Sequence, residues 1–332
     1  MKIKETIGID VSKKTIDVFI YSVKRHKVFK NNIAGFSSMQ KWVAENSSFE
    51  QSEQLYAFEH TGLYSLPLSV YLSEQKLYFV MIPGLELKKS LGLVRGKDDK
   101  LDASFIALYA YRKREELTPC ELPSKILLEL RRLLSLRDKL VKQRSGFKST
   151  LTEMKAMLLD KDSPVYMDIH ESMCKSLNEE IKKVEKELLK RINEDDELQK
   201  QFKLITSIDG VGTQTALFMI AFTGGFSLFD NSRKFASYAG VAPFPYCSGT
   251  SIRGRTRISS YGHKKFKSLL SNCATTAIRN NSELRLYYER RISEGKSKMS
   301  TINIIRNKLL GRIFAVVQRG TPYVNTMAFC SL

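Results

Sequence analysis

Four carboxylates stand where they can act together: Asp10, Glu59, Asp99 and Asp102. Asp10 closes the apolar run Ile7-Gly8-Ile9, and Glu59 closes Leu55-Tyr56-Ala57-Phe58. Asp99 and Asp102 lie three apart in Lys97-Asp98-Asp99-Lys100-Leu101-Asp102-Ala103, where a helical pattern opens, so they share one helix face. Acids at strand ends and on a helix face can converge, and they repel one another unless a cation neutralises them. An all-oxygen donor set suits Mg²⁺ or Mn²⁺. In a chain of net charge +19, such a cluster points to metal-assisted chemistry on a polyanion.

The bulk composition supports that partner. The chain holds 54 Lys and Arg against 35 Asp and Glu, a balance that favours nucleic acid or an anionic membrane surface. No run approaches the roughly 18 apolar residues of a membrane span, so no transmembrane helix is expected. The N-terminus runs straight into a strand pattern with no secretory signal. The five cysteines, Cys120, Cys174, Cys247, Cys273 and Cys330, are odd in number and scattered. They read as free thiols of a cytoplasmic protein, without a zinc or disulfide framework. With 332 residues, 42% of them hydrophobic, the chain can build two or three packed units.

The elements that must position the acids read as α/β over residues 1–118. Residues 6–22 alternate around Ile7, Ile9 and Val11, then Ile16, Val18 and Ile20, with a turn at Ser12-Lys13-Lys14-Thr15. This predicts two strands in a hairpin. A third strand is expected over Lys27–Ile33, a helix over Phe36–Glu45, a fourth strand over Leu55–Glu59, a helix from Leu66 and a fifth strand over Tyr78–Ile82, ended by Pro83-Gly84. A last helix starts at Asp99. Three early strands followed by alternating helix and strand resemble the ribonuclease-H order.

Residues 119–200 change character. Pro123-Ser124 is a helix start, and Ile126, Leu130, Leu133, Leu140, Phe147, Leu151, Met154 and Leu158 recur at helical spacing, interrupted by Arg137 and Arg144. A second run, Leu177, Ile181, Val184 and Leu188, follows the Asp162-Ser163-Pro164 break. Two long helices in an antiparallel hairpin are expected, packed on the rest of the chain or dimerising as a coiled coil.

Residues 201–332 read as a third, mainly helical unit. It opens with Ile208-Asp209-Gly210-Val211-Gly212, which resembles a helix-hairpin-helix turn whose backbone N–H groups, at Gly210 and Gly212, face a DNA phosphate. Between Ser248 and Arg319 there are 16 Lys and Arg against 3 Asp and Glu, so the positive charge is concentrated, as a backbone-binding surface requires. Arg253, Arg255 and Arg257 alternate along an extended stretch and would share a face, with guanidinium groups suited to bidentate phosphate contact. His263, Lys264 and Lys265 are further candidates for phosphate contact. A serine among these arginines and glycines can attack a phosphodiester. On composition alone Ser248, Thr250, Ser251, Ser259 and Ser260 all compete for that role.

In combination these motifs resemble the insertion-sequence "one-ten" family of transposases, over nearly the whole chain. The resemblance rests on Gly8-Ile9-Asp10-Val11-Ser12-Lys13, on Phe58-Glu59-His60-Thr61-Gly62-Leu63-Tyr64 and on Lys97-Asp98-Asp99-Lys100-Leu101-Asp102-Ala103. It continues through Ile208-Asp209-Gly210-Val211-Gly212, Phe235 to Pro243, Ser248-Gly249-Thr250-Ser251-Ile252-Arg253-Gly254, Arg257-Ile258-Ser259 and Gly262-His263. The departures are Asp209 for a proline, Asp98 for a threonine and Met81-Ile82-Pro83 for an asparagine-proline pair. The resemblance implies an N-terminal RuvC-like (RNase H-like) DEDD domain, a central helical hairpin or coiled coil and a C-terminal transposase domain. Its acidic tetrad would fall on Asp10, Glu59, Asp99 and Asp102, binding Mg²⁺ or Mn²⁺, with Asp99 favoured over Asp98 by its spacing to Asp102. Its nucleophile would fall on Ser248.

The same resemblance implies donor and target DNA as substrates, a guide (bridge) RNA as partner and a homo-oligomer, a tetramer assembled from dimers. Cleavage would pass through a phosphoserine and strand exchange through a Holliday junction. Two alternatives stay open: a metal-dependent Holliday-junction nuclease that uses water, and a non-catalytic nucleic-acid-binding protein, against which the four intact acids argue.

Overall fold

A computed structural model describes residues 2–90, 99–157, 164–248 and 252–325, with the backbone alone at 99, 247, 248, 252, 253 and 255. It divides into two compact units, Met1–Leu122 and Pro123–Leu332.

In the first unit the alternating stretch folds as a hairpin of β1 (Glu5–Val11) and β2 (Thr15–Ile20). The Ser12 hydroxyl closes the turn, donating to the Thr15 carbonyl at 2.8 Å and accepting from the Thr15 N–H at 3.2 Å. Strand β3 (Arg25–Lys30) pairs antiparallel with β2. It ends earlier than the predicted Ile33 because Asn32 caps α1 (Ile33–Asn46), its side chain accepting from the Gly35 N–H. Then follow β4 (Gln54–Glu59), α2 (Leu66–Glu74), β5 (Phe79–Ile82), α3 (Gly84–Ser90) and α4 (Asp99–Lys113).

The sheet order is β3-β2-β1-β4-β5, with β4 parallel to both β1 and β5. An antiparallel trio extended by two parallel strands fits an RNase H-like fold. Both faces of the sheet are covered. Ile7, Ile9, Ile16, Val18 and Ile20 pack with Phe36 and Met39 of α1 and Leu68 and Leu72 of α2. Leu55, Ala57, Val80 and Ile82 pack with Ile106, Tyr109 and Ala110 of α4. At about 1.5–3 kcal/mol per fully buried aliphatic side chain, these two layers hold the strand ends in place.

The second unit contains α5 (Lys125–Ala156), α6 (Pro164–Asn193), α7 (Asp196–Thr206), α8 (Thr213–Thr223), α9 (Ser232–Tyr238), β6 (Pro243–Ser248), β7 (Ile252–Ile258), α10 (Lys264–Asn280), α11 (Ser282–Ser293) and α12 (Lys298–Arg319). Ser124 caps α5, accepting from the Leu127 N–H. Helices α5 and α6 run antiparallel, as Arg137–Glu185 and Lys155–Glu171 show. The arginines that interrupt the apolar stripe are therefore links between the helices: Arg137 reaches Glu185 and Arg144 reaches Asn178. At the base of the hairpin, Leu127, Leu130, Leu134, Val184, Leu188 and Ile192 share one core with residues of α7, α8, α10 and α12. The expected segments 119–200 and 201–332 thus share a core at the base of the hairpin, while farther along it Leu151, Met167, Leu177 and Ile181 are buried as well.

Candidate active site

The first acids are set by strand register. The last couple of the β1–β4 ladder is Ile9 with Phe58, and Asp10 and Glu59 each follow by one residue. Side chains alternate along a strand and cross-strand partners share a face. Asp10 and Glu59 therefore belong with the pairs Gly8–Ala57 and Thr6–Leu55, on the face that α4 covers.

Helix α4 descends along that face in step with β1. The Thr6 hydroxyl donates to the Ala107 carbonyl at 2.9 Å. A methyl group on Gly8 would sit 2.1 Å from the Ala103 carbonyl oxygen, so glycine alone permits this approach. Two residues along β1, about 6.7 Å, match four residues back along α4, about 6 Å. Continued by one more step, the same progression would set Asp10 level with residue 99, in the helical turn that carries Asp99 and Asp102. Asp10, Glu59 and Asp102 are all partly exposed, as groups that meet a substrate must be.

Gly84 has a matching role. A methyl group there would fall 1.9 Å from Glu59 Oε1, so the bare backbone makes room for that carboxylate. In the sequence, Pro83-Gly84 is legible only as a strand breaker. Helix α3, which Gly84 opens, is braced to α4 by the Tyr109 hydroxyl, which donates to Glu86. Burial first, then that carboxylate, pushes the Tyr109 pKa up to about 12.

The acids are gathered by register without closing on a point. Among the described residues, no three His, Cys, Asp or Glu side chains are grouped closely enough to hold a metal, and the side chain of Asp99 lies outside them. The donor chemistry nonetheless fits a hard divalent ion: carboxylates on one face, with Gly8 admitting α4 against β1 and Gly84 leaving room for Glu59.

Asp17 and His26 belong to none of the motifs above and join the site only through the fold. Asp17 pairs with Asp10 across the β1–β2 ladder, so it faces the same side of the sheet. His26 Nε2 meets Asp17 Oδ1 at 2.8 Å, and both side chains are largely buried. The available signal is the alternation itself: Ile16, Val18 and Ile20 claim one face of β2, which leaves Asp17 on the other.

The second unit carries the remaining candidates. Ser248 ends β6 opposite Ile252; its side chain lies outside the described residues, as do Gly249, Thr250 and Ser251. Ser259 Oγ accepts from the Tyr261 N–H at 3.1 Å, a turn role, and Ser260 is exposed. The β6–β7 register shifts between Phe244 and Tyr246, placing an extra residue on β7. That bulge breaks the strict alternation expected from Arg253 to Arg257. Gly254 lies against the Tyr246 ring, where a methyl group would meet a ring carbon at 2.7 Å. Arg257 is exposed, and the side chains of Arg253 and Arg255 lie outside the described residues.

Lys264 is exposed, whereas Lys265 is paired with Asp138 at 2.6 Å. His263 sits at the start of α10 without capping it through its side chain. Its ring packs against Phe222, Tyr238 and Phe266, and burial lowers its pKa from the usual 6.5. Gly210, at φ +85°, packs its Cα against Ala277, where a methyl group would come within 2.7 Å. Gly212 is the N-cap of α8 and has open space where a side chain would be. Asp209, standing where the resemblance has proline, accepts from Asn281 and Asn325.

Two family models match the chain in succession. Residues 7–159 match the DEDD "Transposase" model and residues 202–289 match "Transposase IS116/IS110/IS902 family". Pilin gene-inverting proteins of Moraxella bovis and Moraxella lacunata are each 27% identical over 327 residues, covering 96% of this chain and 98% of theirs. An insertion element IS110 uncharacterized 43.6 kDa protein of Streptomyces coelicolor is 30% identical over 124 residues, 37% of this chain and 30% of that protein. With one model on the acid-bearing sheet and the other on the basic helical unit, in that order along the chain, this protein belongs to the IS110 family and is a transposase.

Proposed function

We propose that the chain cuts and rejoins DNA through a serine nucleophile assisted by a divalent cation, Mg²⁺ or Mn²⁺, under the direction of a guide RNA. The observation that carries the reading is the shared face of Asp10 and Glu59 at neighbouring strand ends, level with the first turn of α4. Asp10, Glu59, Asp99 and Asp102 would hold the cation. When bound, it neutralises the carboxylates and polarises the phosphoryl oxygens. The Ser248 hydroxyl attacks phosphorus: the Oγ–P bond forms as the P–O3′ bond breaks, and the proton passes to the departing 3′ oxygen. The products are a 5′-phosphoserine and a 3′-hydroxyl, a pair that strand exchange can religate through a Holliday junction. The cationic surface between Ser248 and Arg319 would carry donor and target DNA and the guide RNA, in a dimer or tetramer. The full-length similarity to pilin gene-inverting proteins supports rejoining as well as cutting.

Ser248→Ala tests the reading. The variant should bind DNA as the parent does and form neither cleaved strand nor covalent adduct on denaturing gels. Normal cleavage by Ser248→Ala would overturn the serine mechanism. A second reading is favoured by one observation: the acids all lie in the first unit and Ser248 in the second. An RNase H-like sheet can activate water by itself, giving a hydrolytic junction nuclease. Cleavage without any trapped adduct would select that reading. RNA that co-purifies with the protein and carries loops complementary to donor and target would establish guidance; its absence from an active enzyme would remove it.

A further inference from the structure

Arg306 is the least expected charge in the second unit. It lies in α12, is only 3% exposed, and forms no ion pair among the described residues. Its guanidinium donates to neutral groups, Ser271 Oγ at 2.8 Å and Asn303 Oδ1 at 3.3 Å, and its Nε has no partner among the described residues. Burial lowers its pKa, because nothing negative compensates it. A buried cation without a counter-charge is costly, and an anion brought from outside would relieve it.

The space in front of Arg306 is built for one. A cavity of about 1040 Å³ is lined by Arg306, Arg233, Arg257 and Lys267, with no Asp or Glu among its lining residues. Four cations come from three helices and a strand: Arg233 from α9, Arg257 from β7, Lys267 from α10 and Arg306 from α12. None of them forms an ion pair among the described residues. The walls are apolar where Ile258 and Ile304 close them.

We infer that this cavity seats an unpaired nucleotide of a bound nucleic-acid strand, its phosphate on Arg306, Arg233 and Lys267 and its nucleoside against the apolar walls. The inference rests on the chain's acting on nucleic acid and adds a site that neither the acids nor Ser248 provides. Guanidinium forks match phosphate geometry, and recessed apolar walls suit a base that has left its stack. A duplex ridge offers phosphates but no free nucleoside. The cavity lies at the foot of the β6–β7 hairpin, beside Pro243 and Ile258, and Ser248 lies at the far end of β6, roughly 17 Å away at strand rise. A strand anchored here would run toward the serine.

The test uses the full chain with labelled single-stranded DNA, single-stranded RNA and duplex DNA of equal length. Arg233→Ala combined with Lys267→Ala removes two rim cations without touching the core. It should weaken single-strand binding about 10- to 100-fold and lower the salt slope by about 1–2, with duplex affinity changed less than threefold. The arm that loses more, DNA or RNA, identifies the strand. Arg306→Met should raise the melting temperature, by removing an uncompensated buried charge, while losing the same single-strand affinity. Unchanged single-strand affinity and slope in the rim variant, with the parent binding normally, would overturn the site. Failure of the parent to bind any of the three nucleic acids would instead sink the proposed function as well.

Discussion

Asp10 and Asp17 stand opposite each other on neighbouring antiparallel strands, two acids on one covered face, and Asp17 is paired with His26 at 2.8 Å. Like charges in direct cross-strand register destabilise a sheet. His26 offsets this by engaging Asp17. His26→Ala should destabilise the first unit by about 1–3 kcal/mol, the cost of stripping a charged hydrogen bond from a buried partner. Urea unfolding at neutral pH measures it. Asp17→Asn in the same background should recover part of the loss; no recovery would mean that His26 acts through packing alone.

Two glycines of the first unit should respond differently to alanine. At Gly8 the new methyl meets the backbone oxygen of Ala103, which cannot turn aside, so α4 must shift. A loss of about 1–3 kcal/mol is expected, together with loss of cleavage. At Gly84 the methyl meets the end of the Glu59 side chain, which can rotate away. Gly84→Ala should keep stability within about 1 kcal/mol and still cut activity at least tenfold. Equal melting temperatures for the two variants would refute the distinction.

Divalent ions should stabilise the protein through the acids. With Mg²⁺ at about one hundred times its dissociation constant, linkage gives about 2.7 kcal/mol, visible as a raised melting temperature that EDTA reverses. Asp10→Asn, Glu59→Gln or Asp102→Asn should abolish the shift and strand cleavage together. In the absence of metal, Glu59→Gln and Asp102→Asn should be at least as stable as the parent, since each removes a repulsive charge. A metal-induced shift that survives all three changes would place the ion elsewhere.

His263 should make the second unit sensitive to mild acid. Burial lowers its folded-state pKa below the 6.5 of an exposed ring. Between those two values the unfolded chain binds more protons than the folded one, so stability rises with pH through that window and falls on acidification. Melting curves from pH 7.5 downward should show the loss beginning near pH 6.5. His263→Phe, which suits the surrounding Phe222, Tyr238 and Phe266 rings, should flatten that part of the profile. An unchanged slope would assign the acid sensitivity to other groups.

Nucleic-acid affinity should be steeply salt-dependent. A surface making about 6–10 phosphate contacts loses roughly 10³–10⁵ in affinity between 50 and 200 mM salt. Lys264→Ala should lower the slope by about one, because Lys264 is exposed. Lys265→Ala should lower it less and destabilise the fold, because Lys265 is paired with Asp138 and lies over the Phe218 ring. Equal slopes for the two variants would argue against this division.

Local order was legible in the sequence. Period-two alternation marked β1 and β2, apolar runs ending in an acid marked β1 and β4, and Ser124 and the Pro83-Gly84 break behaved as local signals do, because each acts through its own backbone within a few residues. The acids Asp10 and Glu59 could be picked out for the same reason: polar ends of apolar strands need no tertiary knowledge. What only the tertiary structure decided involves contacts between residues distant in the chain. The opposition of Asp10 and Asp17, the glycines that admit α4 and Glu59, the arginine links across the hairpin, the bulge that disrupts the arginine alternation and the uncompensated Arg306 all belong to that class. Such contacts depend on strand register and on which helix face meets which neighbour, and neither is encoded in the spacing of residues along a single element.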